Sequence, residues 1–440
     1  MIRNQYENNF IFLLIFNLSE RIKMNYKSTV RACYVGSITL AIVNNLAPLL
    51  FVIFNDRFGL SFDQLGLLIF INFVTQIFAD LLGSKYVDKI GYRIPCVAAH
   101  FFAVAGLVGL GLLPLVMSPF PGLLVSVVLY AFGAGLLEVM TSPLVDRCSE
   151  EKSAGAIGFL HSFFCWGQVV TVLVSTIILH FINDNYWFVL PLLWAIIPLV
   201  NAFNFMRVPL PKTFSEEEKT PFRKLLTSKL FILAIILMLC SGAAELSMSQ
   251  WASFFAEKAL SMSKVFGDIF GPCLFAVFMG IGRLFFGIYG EKINIQKVLL
   301  AGSVLCVICY LCASLSPLPI ISLFACALTG LSVSLMWPGV LVLATKKFPK
   351  GGTTLFGILA LCGDIGCSIG PWLVGMLSYR FQTTELSTSI QQTTTQTADQ
   401  VGLKFGLLIA VIFPILMIIC LLLFKKSNSK GSSEVVYNEV

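Results

Sequence analysis

The sequence predicts an all-α integral membrane protein of twelve transmembrane helices in two pseudo-symmetric six-helix halves. Three observations predict it. Of 440 residues, 57% are hydrophobic and 12% charged, about half the charged share of a soluble globular chain. The apolar residues gather into twelve runs, and about twelve helices of about 21 residues use on the order of 250 residues, which the length accommodates. Lys and Arg collect in alternate connections, the pattern expected of a multi-pass chain.

Residues 1–27 form an N-terminal extension. Its one apolar run, at 10–16, is too short to cross a bilayer and lacks a small-residue cleavage site after it. Residues 28–206 hold the first six runs, at 29–54, 64–83, 94–117, 121–145, 154–182 and 187–206. The first carries Asn44 and Asn45, the fourth Gly135, Glu138 and Pro143, and the fifth His161, Cys165, Trp166 and Gln168. Residues 207–228 read as a polar linker, with the acidic run Glu216, Glu217, Glu218 and the prolines Pro209, Pro211 and Pro221. Residues 229–424 hold the other six runs, at 229–255, 265–289, 297–315, 318–345, 353–378 and 403–424. They carry Glu245, Gln250 and Trp251, then Arg283, then Trp337, then Asp364. The Thr- and Gln-rich stretch 383–400 reads as a solvated loop, and 425–440 as a polar tail.

With the N-terminus inside, 24 of the 30 Lys and Arg residues fall in inner segments and five in outer ones, with Arg283 inside a run. The expected location is the plasma membrane, and the asymmetry predicts that both termini are cytoplasmic. It also accounts for the net charge of +7 without an acidic partner, so no nucleic acid is expected. Nearly all of the 13 cysteines lie in apolar runs, where a thiol is a small buried hydrophobe. Cys306, Cys309 and Cys312 have a metal-like spacing but no His or second Cys pair nearby, so no metal is expected. Phosphate-binding loops, zinc-helix motifs and nucleophile elbows are missing from the sequence. No cofactor and no enzyme activity follow, and transport must draw on a solute or ion gradient.

The two halves share a pattern, as in transporters built from repeats. Gly135 precedes Pro143 by eight residues in the fourth run, and Gly330 precedes Pro338 by eight in the tenth. After the second run come Asp88, Gly91 and Arg93; after the eighth come Glu291, Lys292 and Ile293. An acid, a glycine turn and an Arg in so short a connection can pair charges at helix ends and act as a conformational latch. The alternative is an ordinary charged loop.

That loop resembles the signature of the major facilitator superfamily, with Ser84 where a Gly is usual, and the second-half copy resembles it with Asn294 in place of a Gly. Within the superfamily the sequence is similar to the fucose/proton symporter group over most of residues 28–424. Asn44-Asn45, Gly133 to Glu138 followed by Pro143, Ile281-Gly282-Arg283 and Trp337-Pro338 carry the likeness. The group's acid in the first span falls here on Pro48, so its two-carboxylate coupling does not carry over intact.

Glu138 is singled out by physics as well as by resemblance. A carboxyl deep in an apolar helix is costly when ionised and is suited to exchanging a proton; otherwise it is a structural Glu bonded to a neighbouring helix. Glu245 and Asp364 are alternative replacements for the missing acid. The resemblance places His161 at a sugar-contacting position. Asn44, Asn45, Gln168 and Gln250 could hydrogen-bond a small polar solute, with Trp251, Trp337 and Trp166 offering flat apolar faces. Arg283 is expected to pair an acid near the inner gate. The expected protein is a monomeric secondary transporter of a sugar or sugar-like solute, coupled to protons in preference to Na⁺. The alternatives are a proton-linked exporter of drugs or metabolites, or a non-transporting membrane sensor.

Overall fold

The computed structural model describes residues 26–148, 153–181, 184–211, 226–289, 293–348, 352–394 and 396–437. The extension at 1–23, the acidic run at 216–218, Glu291 and the side chain of Asp88 lie outside the described residues. Among the described residues, twelve helices are long and apolar enough to cross a membrane. They are α1 (Lys27–Phe58), α2 (Phe62–Val87), α3 (Arg93–Val116), α4 (Pro119–Val145), α5 (Phe159–Phe181), α6 (Val189–Arg207), α7 (Lys229–Ala259), α8 (Lys264–Phe286), α9 (Ile295–Leu315), α10 (Pro319–Lys347), α11 (Gly357–Gln382) and α12 (Ala398–Lys426). The described residues contain no strand. In hydrocarbon a backbone must satisfy its own polar groups, and a helix does so within one segment.

Several spans are interrupted, mostly near prolines, which remove an amide donor and clash with the preceding turn. In α10 the helix breaks after Val333 and resumes at Met336, where Pro338 has no N–H to give the carbonyl of Ser334. In α8 a π-helical turn, Ile269–Cys273, surrounds Pro272. The break in α7 at Gln250 and Trp251 has no proline and leads into a π turn at Phe255–Ala259. The polar stretch at 383–400 departs from the expected loop. It contains a short helix, Glu385–Thr394, and its end already belongs to α12, which Thr397 and Gln400 start with a reciprocal capping box.

Glycines let equivalent helices approach in the two halves. A Cβ on Gly135 would lie 2.5 Å from the Gln76 carbonyl oxygen, and one on Gly330 would lie 2.1 Å from that of Phe275. Thus α4 presses on α2 as α10 presses on α8. Between the halves, α2 packs on α11 and α5 on α8.

The inter-half bonds gather between mid-depth and the face opposite the start of α1. Gln250 Nε2 of α7 donates to Asn44 O at 3.1 Å, and Lys264 Nζ of α8 donates to Leu49 O at 2.9 Å. Thr176 Oγ1 of α5 donates to Asp268 Oδ2 of α8 at 2.9 Å, Ser368 Oγ of α11 to Phe70 O at 3.3 Å, and Lys258 pairs with Asp56. Aromatic rings of Phe51, Phe62, Trp251 and Phe254 fill the space behind them. This face is closed.

Candidate functional site

The polar groups inside the bundle fall into three connected sets along the interface between the halves. The first is an amide cluster. Asn44 Oδ1 accepts from Asn72 Nδ2 at 3.2 Å and from Gln76 Nε2 at 3.0 Å, both on α2, while Gln250 reaches the Asn44 backbone from α7. Asn45 turns back on its own helix, donating to Ala41 O at 2.8 Å. Asn44, Asn45 and Gln250 therefore meet, but as a mutually bonded group that holds α1, α2 and α7 together.

The second set is an ion pair. Arg283 Nη2 of α8 lies 3.4 Å from both carboxylate oxygens of Glu245 on α7, and Nη1 lies 3.4 Å from Cys165 Sγ on α5. His161, one turn before Cys165, is within electrostatic reach of Arg283 and carries exposed surface. Arg283 thus pairs with Glu245, midway along α7, and the pair spans α7 and α8. Gln168, further along α5, is buried with its Nε2 unpaired.

The third set is acidic. Asp80 of α2 interacts electrostatically with Glu138 of α4 and Asp364 of α11, and Asp364 with Glu138. Gly135 lets α4 approach α2, and Gly366 lets α11 approach α7, where an added Cβ would sit 2.0 Å from Leu239 O. Cys367 of α11 interacts with Asp364, Glu138 and Glu245, which links the acidic set to the ion pair. Asp80 Oδ1 is buried without a hydrogen-bond partner. Among the described residues no group of His, Cys, Asp and Glu is arranged to hold a metal.

The tryptophans divide. Trp337 lays its ring on Gly363, where a Cβ would meet it at 2.3 Å, and so stands beside Asp364. Trp251 does not offer a face to a solute in this conformation: it is fully buried, its Nε1 donates to Pro371 O at 2.9 Å, and aromatic rings enclose it. Its bulk and its aromatic neighbours make it part of the closure. Trp166 is exposed.

At the connection between α2 and α3, Gly91 has φ +78°, a left-handed conformation that suits glycine. Arg93 donates to Phe205 O at 3.2 Å, to Met206 O and to Val208 O at 3.0 Å. These are the last carbonyls of α6, so the base sits at a helix C-terminus, where cations are favoured, and it binds within its own half.

Sequence reading missed Asp80, Asp268 and His100. Asp80 was detectable as a further acid inside the second apolar run. His100 is a buried fastener: its Nδ1 is 2.7 Å from Cys96 O and its Nε2 2.8 Å from Asn201 Nδ2, which also donates to Ala32 O. With the amide donating to Nε2, the imidazole is neutral and donates through Nδ1. No periodicity in the sequence marks that role.

Comparison with known proteins follows the same lines. Residues 33–371 match the Major Facilitator Superfamily. The multi-drug resistance efflux pump PmrA of Streptococcus pneumoniae is 24% identical over 369 residues, covering 79% of this chain and 89% of PmrA. The backbone superposes on a D-xylose-proton symporter with TM-score 0.71 at 12% identity, covering 89% of this chain and 97% of the other. It superposes on the Escherichia coli fucose:proton symporter FucP with TM-score 0.59 at 18% identity, covering 91% and 99%. A bacterial homolog of the human lysosomal transporter Spinster, inward-facing and occupied, gives 0.69 at 15% identity, covering 91% and 97%. The family match over most of the helical region, with twelve apolar helices in order, shows that the chain belongs to the major facilitator superfamily of membrane transporters.

Proposed function

We propose that this chain is a proton-coupled secondary active transporter that moves a small polar solute, a sugar or sugar-like metabolite, by alternating access. The observation that carries the reading is the seam of ionisable groups, Asp80, Glu138, Asp364 and the Glu245–Arg283 pair, in the interface between the halves. Charges in a hydrocarbon-depth interface are expensive and serve function by default. Carboxyls within electrostatic reach of one another disfavour each other's charged form and so favour taking up a proton. Glu138 is the coupling group in this reading, with Asp364 and Glu245 as its partners. Asn44, Asn45, Gln168, Gln250, His161 and Trp337 supply solute contacts once the closed face opens and the amide cluster exchanges its bonds. Trp251 contributes only in that opened state.

The turn holding Asp88, Gly91 and Arg93, together with its second-half copy at Glu291, acts as a latch on the cytoplasmic side. Both termini lie in the cytoplasm, the closed face is extracellular, and the protein works as a monomer in the plasma membrane. In proteoliposomes, Glu138→Gln abolishes accumulation driven by a pH gradient while leaving counterflow intact. Unchanged pH-driven uptake by that variant refutes the coupling assignment. The likeness to PmrA favours a second reading, a proton-linked exporter on the same fold. Opposite directions of net flux in inside-out and right-side-out vesicles separate the two.

A further inference from the structure

Arg283 lies partly buried between the halves, its side chain 15% exposed, and is poorly satisfied. Both contacts with Glu245 come from Nη2 alone and are 3.4 Å long, whereas charge-assisted pairs usually close to about 2.7–2.9 Å and engage two donors in parallel. Its Nη1 has only the Cys165 thiol, also at 3.4 Å, and its Nε is buried with no partner. A guanidinium offers five N–H donors in a rigid fork matched to a carboxylate. Here the edge that carries Nε is unused. The titratable groups facing it are Glu245 from α7 and Cys165 and His161 from α5, with Cys367 and Asp364 of α11 on the side of Glu245. From α10, Ser334 and Leu331 pack against the neighbouring Gly282. His161 keeps exposed surface, whereas Arg283 Nε is closed off in this conformation, so a solute reaches that edge only as the halves part.

We propose that Arg283 anchors the transported solute and that the solute carries a carboxylate, making it a sugar acid in place of a neutral sugar. The inference rests on the transport reading above and sharpens its substrate class. The incoming carboxylate takes the free Nε edge of the fork, and Glu245, displaced from Nη2, takes up one H⁺ from the bulk solution. Before binding the Arg283–Glu245 site holds one cation and one anion; afterwards it holds the same cation, the solute anion and a neutral Glu245. One proton therefore enters this site with each monoanion, separate from the one Glu138 exchanges, and no net charge is added at the Arg283 site. Release reverses the exchange.

The test is binding by purified protein, measured by calorimetry at pH 6 and pH 8. The probes are D-glucuronate, D-galacturonate and D-gluconate, set against D-glucose, D-galactose and L-fucose. At least one acid binds, and more tightly at pH 6, by up to tenfold per pH unit. His161→Gln keeps that pH dependence, because Glu245 takes the proton. The double variant Arg283→Gln/Glu245→Gln strands no buried charge and elutes as a folded monomer; it weakens the acid more than tenfold and loses the pH dependence. Arg283→Lys, which keeps the charge but not the fork, falls between. Failure of all three acids to bind, or acid binding that the double variant leaves unchanged, overturns the inference. Binding of neutral sugars alone does so while sparing the transport reading, and failure of both classes counts against both.

Discussion

Closure of the face opposite the chain ends depends on one buried bond whose removal has a calculable effect. Thr176 Oγ1 on α5 donates to Asp268 Oδ2 on α8 at 2.9 Å, and both residues are about 1% exposed. Asp268 also accepts from Ser253 and lies 3.4 Å from Lys264 Nζ, but those two partners are on its own half. Thr176→Val keeps the shape and deletes the donor. A hydrogen bond to a charged group contributes about 1.5–3 kcal/mol, and the two surviving partners favour the lower part of that range. When the face opens, water hydrates Asp268 in both forms, so the loss falls on the closed state alone. The ratio of open to closed molecules should rise about ten- to thirtyfold. Double electron–electron resonance between labels on the exposed residues Tyr186 and Ser263, attached through non-canonical amino acids, reads the two populations directly. Ser253→Ala, which breaks a bond inside one half, should lower stability without moving the distribution. An unchanged distribution for Thr176→Val, or an equal shift for Ser253→Ala, refutes the assignment.

Other perturbations test the packing and the ends of the helices. Gly366→Ala puts a methyl 2.0 Å from Leu239 O, and since a backbone carbonyl cannot yield cheaply the change should cost about 1–3 kcal/mol; an unaltered melting temperature contradicts the close approach of α7 and α11. Arg93→Lys keeps the charge at the end of α6 but loses the three-carbonyl grip. Arg93 being exposed, the loss should stay below about 1 kcal/mol, and should appear as faster amide exchange over 205–211 with little change elsewhere. Cys148 lies just past the end of α4, and burial pushes its thiol up to about 11. It should therefore react slowly with maleimide at pH 7.5 and about tenfold faster per pH unit above that, a dependence that mass spectrometry of the labelled peptide checks.

Much of the architecture was legible before any coordinates. The twelve runs, their order and the Gly135/Gly330 correspondence follow from local composition, and the structure places both glycines at matching helix crossings. The polar stretch after α11 was not legible as helix, because Thr and Gln are weak predictors and its capping box lies in a run of similar residues. Of the candidate residues, Glu138, Asp364, Glu245 and Arg283 were visible as rare charges in apolar runs. Trp251 is ambiguous in the sequence because aromatic faces serve a solute site and a packed core equally well, and its enclosure by Phe51, Phe62 and Phe254 puts it to packing in this conformation.

The sequence by itself determined that the chain crosses a membrane twelve times, since hydropathy is a property of each segment and a desolvated segment has little choice but to be helical. Only the tertiary structure decided which charges meet. Thr176 and Asp268 are 92 positions apart, and Arg283 and Glu245 38. Asp80, Glu138 and Asp364 come from three helices. Such partners depend on helix crossings set by glycine contacts and proline breaks, so no spacing along the chain encodes them. The closed face, the under-used guanidinium and the acidic set are all of this second kind.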